Sequence, residues 1–268
     1  MSARLILIQC LLIPMPGLSC LGQSVAQSSY KITYLFHSGW LVETKNETIL
    51  IDYIPSEDLN LDSVLFKKFT KAIAEGKNSF ILITHDHYDH FHKPLLNWNK
   101  KLKGITTILG WDYHISNNNS VIKLNGRDST KVNNVKITSH PSTDAGSGFL
   151  ISTKNLTFYH AGDHAAWDTD ALTAYSKEVD FVRSLARNID IAFFPIARGK
   201  LGGCKVTESI TNGTILAIKN LQPRFVFPMH LQCNDLKPYR QFAENMKVKF
   251  PKVTFRFPTT NHQEFALD

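Results

Sequence analysis

The sequence predicts a single-domain α/β protein whose strands carry metal-ligating residues at their C-terminal ends. Short apolar runs rich in β-branched and aromatic residues alternate with stretches of helical periodicity. Several of those runs stop directly on a histidine or an aspartate. No Pro/Gly/Ser-rich linker divides the 268 residues, and a hydrophobic content of 43% is enough for one large core.

Strand-like runs at 30–36, 40–44 and 48–52 open the fold. They lead into a predicted helix near 61–75, where Leu61, Val64, Leu65, Phe69 and Ile73 fall at the spacing of one buried face. Phe80-Ile81-Leu82-Ile83-Thr84 is the next strand. In the second half, strands are expected near 134–139, 148–152 and 156–160, followed by a helix around 171–187 and a strand at 189–194. A helix around 207–219 precedes the apolar run that ends in His230. Pro238 can open the next helix, because a first turn does not use the amide donor that proline lacks. Val253–Phe257 is the expected terminal strand.

His85-Asp86-His87-Tyr88-Asp89-His90 packs three imidazoles and two carboxylates into six residues directly after the strand 80–84. Imidazole nitrogen and carboxylate oxygen are the donors that Zn²⁺ and similar borderline cations take. A solvated His-rich loop is the plain alternative, but such tracts are usually repetitive and do not follow a clean strand signal. If the chain turns on leaving the strand, His85 and His87 project to one side and Asp89 and His90 to the other, so two neighbouring ions are plausible. Three further apolar runs end on ligand types, at His140, Asp163 and His230.

The pattern His85, His87, Asp89, His90 resembles the His-x-His-x-Asp-His signature of the metallo-β-lactamase superfamily. That resemblance implies an αββα sandwich, two mixed β-sheets face to face with helices outside. It also implies a first metal held by His85, His87 and His140, a second by Asp89, His90 and His230, and Asp163 as the bridge. Asp144, in the run Ser142-Thr143-Asp144, is the alternative to His140. Asp52 ends the strand 48–52 and is expected to support the metal loop by hydrogen bonding. His37 and His164 are candidates for contact with substrate, with a satisfied turn histidine as the competing reading of His37. For His160 and His92 the structural reading is preferred.

Two divalent ions, Zn²⁺ first among them, imply hydrolysis by a metal-bridging hydroxide, with Asp89 or Asp163 orienting it. The scissile bond is an ester, lactone, amide or phosphodiester, and the motifs are most similar to the group that includes lactonases and phospholipase-D-like enzymes. An exported metal- or ligand-binding member without turnover, or an iron-dependent redox member, is the other class kept open. The expected partner is a small-molecule or lipid-like substrate, with Arg198-Gly199-Lys200 a candidate for an anionic group. The net charge of +7 comes from scattered lysines without aromatic interleaving, so no nucleic acid is expected. The oligomeric state is open.

Arg4 precedes an apolar run, Leu5–Ile13, too short for a typical membrane span but right for a signal-peptide core. Cleavage is expected near 19/20, with lipid attachment at Cys20, or near 26/27 after Ser24-Val25-Ala26. Either way residues 1–26 are expected to be removed, leaving a domain over 30–268 exported to the periplasm or the exterior. Cys204 and Cys233 are then candidates for a disulfide, and Cys233 alternatively approaches the second metal.

Overall fold

Side-chain alternation in the strands shows how this chain layers itself. Trp40, Val42, Ile49, Ile51, Phe80 and Leu82 join one apolar cluster, while the intervening Leu41, Leu50, Ile81 and Ile83 join another. Successive residues of a strand point to opposite faces, so these strands are buried on both sides and read as continuous apolar runs. The computed structural model describes residues 30–55, 60–114, 120–232 and 235–268. The expected leader, its two expected cleavage positions and Cys20 lie outside the described residues, as does Cys233; Cys204 is disulfide-bonded.

In the first half, β1 (Tyr30–Phe36), β2 (Gly39–Glu43) and β3 (Glu47–Ile51) form an antiparallel meander. Helix α1 (Leu61–Ala74) crosses to β4 (Asn78–Ile83), and a short α2 (Trp98–Lys101) leads to β5 (Ile105–Leu109) and β6 (Val121–Lys123). β3 to β6 pair in parallel, which requires such crossovers. The second half repeats the plan. β7 (Ser129–Val132), β8 (Val135–Pro141), β9 (Ser147–Ser152) and β10 (Thr157–His160) are antiparallel. Then α3 (Ala171–Leu185), β11 (Ile191–Pro195), α4 (Glu208–Leu221), β12 (Phe225–Met229), α5 (Lys237–Lys249) and β13 (Thr254–Phe255) alternate, with β10 to β13 parallel. The last strand, β14 (Glu264–Leu267), returns to the first sheet and pairs with β1.

The result is two seven-stranded mixed sheets, ordered β14-β1-β2-β3-β4-β5-β6 and β13-β12-β11-β10-β9-β8-β7. Trp40 of the first sheet meets Phe193 and Phe227 of the second at ring-centroid distances of 5.0 and 5.2 Å, so the larger cluster fills the space between them. The smaller cluster lies under α1, through Leu61, Leu65 and Phe69. Val64, expected on that buried face, is 47% exposed, and Ala72 is buried instead. The strand expected as terminal at 253–257 is the shorter β13 and is followed by β14, and β5, β6, β7 and β14 have no counterpart in the sequence reading. No helix among the described residues is long and apolar enough to cross a membrane.

Candidate metal centre

The C-terminal ends of β3, β4, β10 and β12 converge on one point between the sheets. β4 runs out through Thr84 into His85, His87, Asp89 and His90. β10 ends in His160 and turns through Gly162 to Asp163, β12 ends at His230, and β3 delivers Asp52. Seven non-glycine residues in the described chain have positive φ, and three of them are here: His37 (54°), Asp52 (44°) and His230 (70°). Such backbone is held only where its surroundings over-determine it.

Hydrogen bonds fix which ring nitrogen of each histidine faces inward. Asp52 is fully buried and accepts from the Thr84 amide at 2.8 Å, the Thr84 hydroxyl at 2.7 Å and His90 Nδ1 at 2.8 Å. With its single proton committed to that carboxylate, Thr84 Oγ1 can only accept from His85 Nδ1, at 2.9 Å. His230 Nδ1 donates to the Ala197 carbonyl at 2.9 Å. Each ring thereby turns its Nε2 toward Asp163. His85 Nε2, His90 Nε2, His230 Nε2 and Asp163 Oδ1 are all buried with no hydrogen-bond partner.

Their spacing is that of ligands around an ion. His85 Nε2 lies 3.4 Å from Asp163 Oδ2, and His90 Nε2 and His230 Nε2 lie 3.1 and 3.3 Å from Asp163 Oδ1. Donors at about 2.0–2.1 Å from a tetrahedral Zn²⁺ stand roughly 3.3 Å apart. Buried donors left unpaired cost about 1–3 kcal/mol each, and a cation would satisfy them together. Charge makes the same demand. Although burial opposes its charged form, His90 is held well above the ordinary imidazole range by Asp163 and Asp52. Asp163 is held well below the carboxylate range, against its own burial, by His90 and His230. Carboxylates that draw a proton onto an imidazole will also draw a divalent ion, with release of that proton.

Ligand-type atoms form three groups among the described residues: His37, Asp89, His90 and His230; His85, His90 and Asp163; and His87, Asp144 and Asp163. The structure therefore brings together His85, His87, Asp89, His90, Asp163 and His230. It places His140 elsewhere. His140 Nδ1 donates to the Pro141 carbonyl at 2.9 Å and Nε2 accepts from the Tyr159 hydroxyl at 3.0 Å, so both nitrogens are used. The cause is strand pairing: His140 of β8 faces Gly148 of β9, and a Cβ on Gly148 would stand 2.3 Å from His140 Nε2. The imidazole crosses that gap to reach Tyr159 on β10, and burial lowers its pKa to about 4. Asp144, in the β8–β9 turn, takes the place beside His87 instead.

His164 is a second correction. Its Nε2 contacts the Tyr175 carbonyl at 3.2 Å, its ring stacks on Tyr175 and meets His140 edge-on at 4.7 Å, and it does not line the cleft. His37 moves the other way, into the centre. His160 bridges Ser38 O and the Gly162 amide, and His92 pairs with Asp62 at 3.1 Å, both supporting roles. The sequence reading missed Thr84, Gln232 and Trp167. Gln232 donates to Asp89 Oδ2 at 2.6 Å, and Trp167 Nε1 donates to the Asp163 carbonyl at 2.9 Å.

A family model described as a β-lactamase superfamily domain matches residues 31–230, which includes His85, His87, Asp89, His90, Asp163 and His230. The chain belongs to the metallo-β-lactamase superfamily. A superfamily relative called a UPF0173 metal-dependent hydrolase, from Pyrobaculum calidifontis, is 29% identical over 239 residues, covering 84% of this chain and 93% of that protein. A Bacillus cereus protein of the same description is 27% identical, over 83% of this chain and 96% of its own. Among solved structures, the metallo hydrolase Igni18 from Ignicoccus hospitalis matches with a TM-score of 0.62 at 19% identity, covering 90% of this chain and 99% of that one. CmlA, a diiron β-hydroxylase from Streptomyces venezuelae, matches with a TM-score of 0.59 at 13% identity, over 89% of this chain and 54% of that one. At these identities the two structures show a shared fold.

In this superfamily member the centre opens into a cleft of about 790 Å³. It is lined by His87, Asp89, Asp144, Asp163 and His230, and also by Arg198, Lys200, Trp167, Tyr88 and Leu201, the last two 69% and 92% exposed. Arg198 lies over the Trp167 ring at 5.9 Å and donates to the Trp167 carbonyl, which anchors the guanidinium.

Proposed function

We propose that this chain is a dinuclear metal-dependent hydrolase acting on an ester, lactone, amide or phosphodiester. The observation that carries the reading is the set of buried, unpaired Nε2 atoms around Asp163, each ring held from behind by an outer hydrogen bond. His85, His87 and Asp144 would hold an outer ion beside the cleft, Asp89, His90 and His230 an inner one, and Asp163 would bridge them. Two divalent ions, Zn²⁺ in this reading, would supply Lewis acidity and a water of lowered pKa beside the cleft.

The chain's own residues do the rest. Asp163, its backbone carbonyl held by Trp167, has one carboxylate oxygen directed at each half of the centre. Gln232 fixes Asp89 in the cleft lining. Arg198 and Lys200 are placed to bind an anionic part of a small-molecule or lipid-like substrate, and Trp167 and Leu201 offer apolar surface beside it. The motivation is the lining of the cleft, and the relatives' description as metal-dependent hydrolases supports the class. The experiment is a hydrolysis screen of Zn²⁺-loaded protein over lactones, phosphodiesters, carboxylic esters and amides. Turnover that disappears on chelation and returns with metal is the expected result; two bound metals with no turnover on any class would favour the binding reading.

One observation favours a second reading. Asp144 in place of an imidazole makes the outer donor set richer in oxygen, which suits iron better than an all-imidazole set. Iron retained through purification, with a change in its visible spectrum under oxygen, would support the redox reading over hydrolysis.

A further inference from the structure

His37 has no place in the ligand sets just given, yet it is among the most buried residues of the centre. It follows β1 in a turn where the register between β1 and β2 shifts, and it adopts φ 54°. Its carbonyl accepts from the His230 amide at 3.2 Å, and it forms an isolated antiparallel bridge with Leu231, which ties the end of β1 to the end of β12. The imidazole is fully buried, and neither ring nitrogen has a hydrogen-bond partner. A left-handed non-glycine backbone and an unpaired buried ring nitrogen are both costly. Among the described residues no hydrogen bond to either ring nitrogen offsets this cost.

The ring's position says what would. His37 Nε2 lies 3.5 Å from Asp89 Oδ2, close to the edge length of a ligand tetrahedron, and the ring centroid is 4.3 Å from that of His230 and 5.1 Å from that of His90. One ligand atom from each of His37, Asp89, His90 and His230 falls within 4.8 Å of all the others. His37 does not line the cleft, whereas Asp89 and His230 do, so its ring approaches from the protein side.

Resting on the dinuclear reading above, we propose that His37 is a further imidazole ligand of the inner metal position. That position then draws on His37, Asp89, His90, His230 and the bridging Asp163. The outer position has His85, His87, Asp144 and the shared Asp163, and its His87 and Asp144 are exposed to the cleft. The two ions are therefore unequal. The inner one has more protein donors and is held more tightly. The outer one keeps an open position, as catalytic sites do, and it is the one a substrate reaches and a chelator strips first.

The test is metal binding by the full chain, with Zn²⁺ and Co²⁺ as the probes. Wild-type protein should take two ions with well-separated affinities. His37→Asn, which tolerates left-handed backbone, should weaken the first, tight equivalent by about 100-fold, the upper end of what metal-supporting residues contribute. It should change the visible spectrum of the first Co²⁺ equivalent and leave the second unaltered. His37→Gly suits φ 54° still better and opens a ring-sized space, so added imidazole should restore tight binding. Circular dichroism of the metal-free variants checks folding. A folded His37→Gly or His37→Asn with the tight equivalent unchanged, or with both equivalents equally weakened, would overturn the assignment of His37. No metal bound by wild type would instead overturn the dinuclear reading itself.

Discussion

Replacing Asp52 by asparagine should weaken both metal positions although Asp52 touches neither. The asparagine side chain keeps one acceptor for the Thr84 amide but presents an NH₂ where Oδ2 accepts from His90 Nδ1 at 2.8 Å and from Thr84 Oγ1 at 2.7 Å. Two donors then face a donor. His90 escapes by moving its proton to Nε2, which blocks the inner position. Thr84 escapes by accepting from the amide and turning its proton to His85 Nδ1, which forces the His85 proton to Nε2 and blocks the outer position. Loss of an outer-shell partner costs about 10–100-fold in metal affinity, or roughly 1.4–2.7 kcal/mol per ion. Competition against a chromophoric zinc chelator measures both constants. Thr84→Val should act on the outer ion alone, since only His85 depends on that hydroxyl. Wild-type affinities in Asp52→Asn, or equal weakening of both ions in Thr84→Val, would refute the relay.

Asp144→Ala should lose about one ion per chain and most activity, whereas His140→Gln should retain both ions, as elemental analysis can decide. Acid should destabilise the fold through His140, whose folded pKa is about 4 against an ordinary 6.5. The unfolded chain binds that proton first, so stability is intact above about pH 6.5 and falls as pH drops toward 4; the gap between the two values corresponds to roughly 3 kcal/mol. Buried His164 is displaced in the same direction. Denaturant titrations at several pH values, with His140→Gln flattening the slope, check this. Gly146→Ala should cost several kcal/mol and disturb metal binding, because Gly146 has φ 61° and its Cβ would stand 2.1 Å from Thr84 O and 2.6 Å from His85 Cβ; thermal melting with and without metal reads both effects.

Sequence alone reveals what depends on neighbours along the chain. The apolar runs that end on His85, Asp163 and His230 are legible because a strand buried on both faces carries an uninterrupted signal, and the ligand follows it directly. What a partner strand decides is not legible. His140 follows such a run as convincingly as His230 does, but its direction depends on Gly148 across the β8–β9 pair, and Asp144 is delivered by the turn between those strands. His37 belongs to the centre because its turn takes a left-handed backbone and bridges to Leu231 just beyond the end of β12, neither of which leaves a periodic trace. Edge strands such as β6 and β7 are short and only partly buried, so they lack the apolar signature that reveals β3 and β4.

The predicted effects on metal binding and activity presuppose a pair of ions around Asp163. Equilibrium dialysis of purified chain against Zn²⁺, followed by elemental analysis, tests this directly. Two zinc ions per wild-type chain, with fewer than two in Asp163→Ala, is the expected result. Retention of none by wild type, or of two by Asp163→Ala, would contradict it.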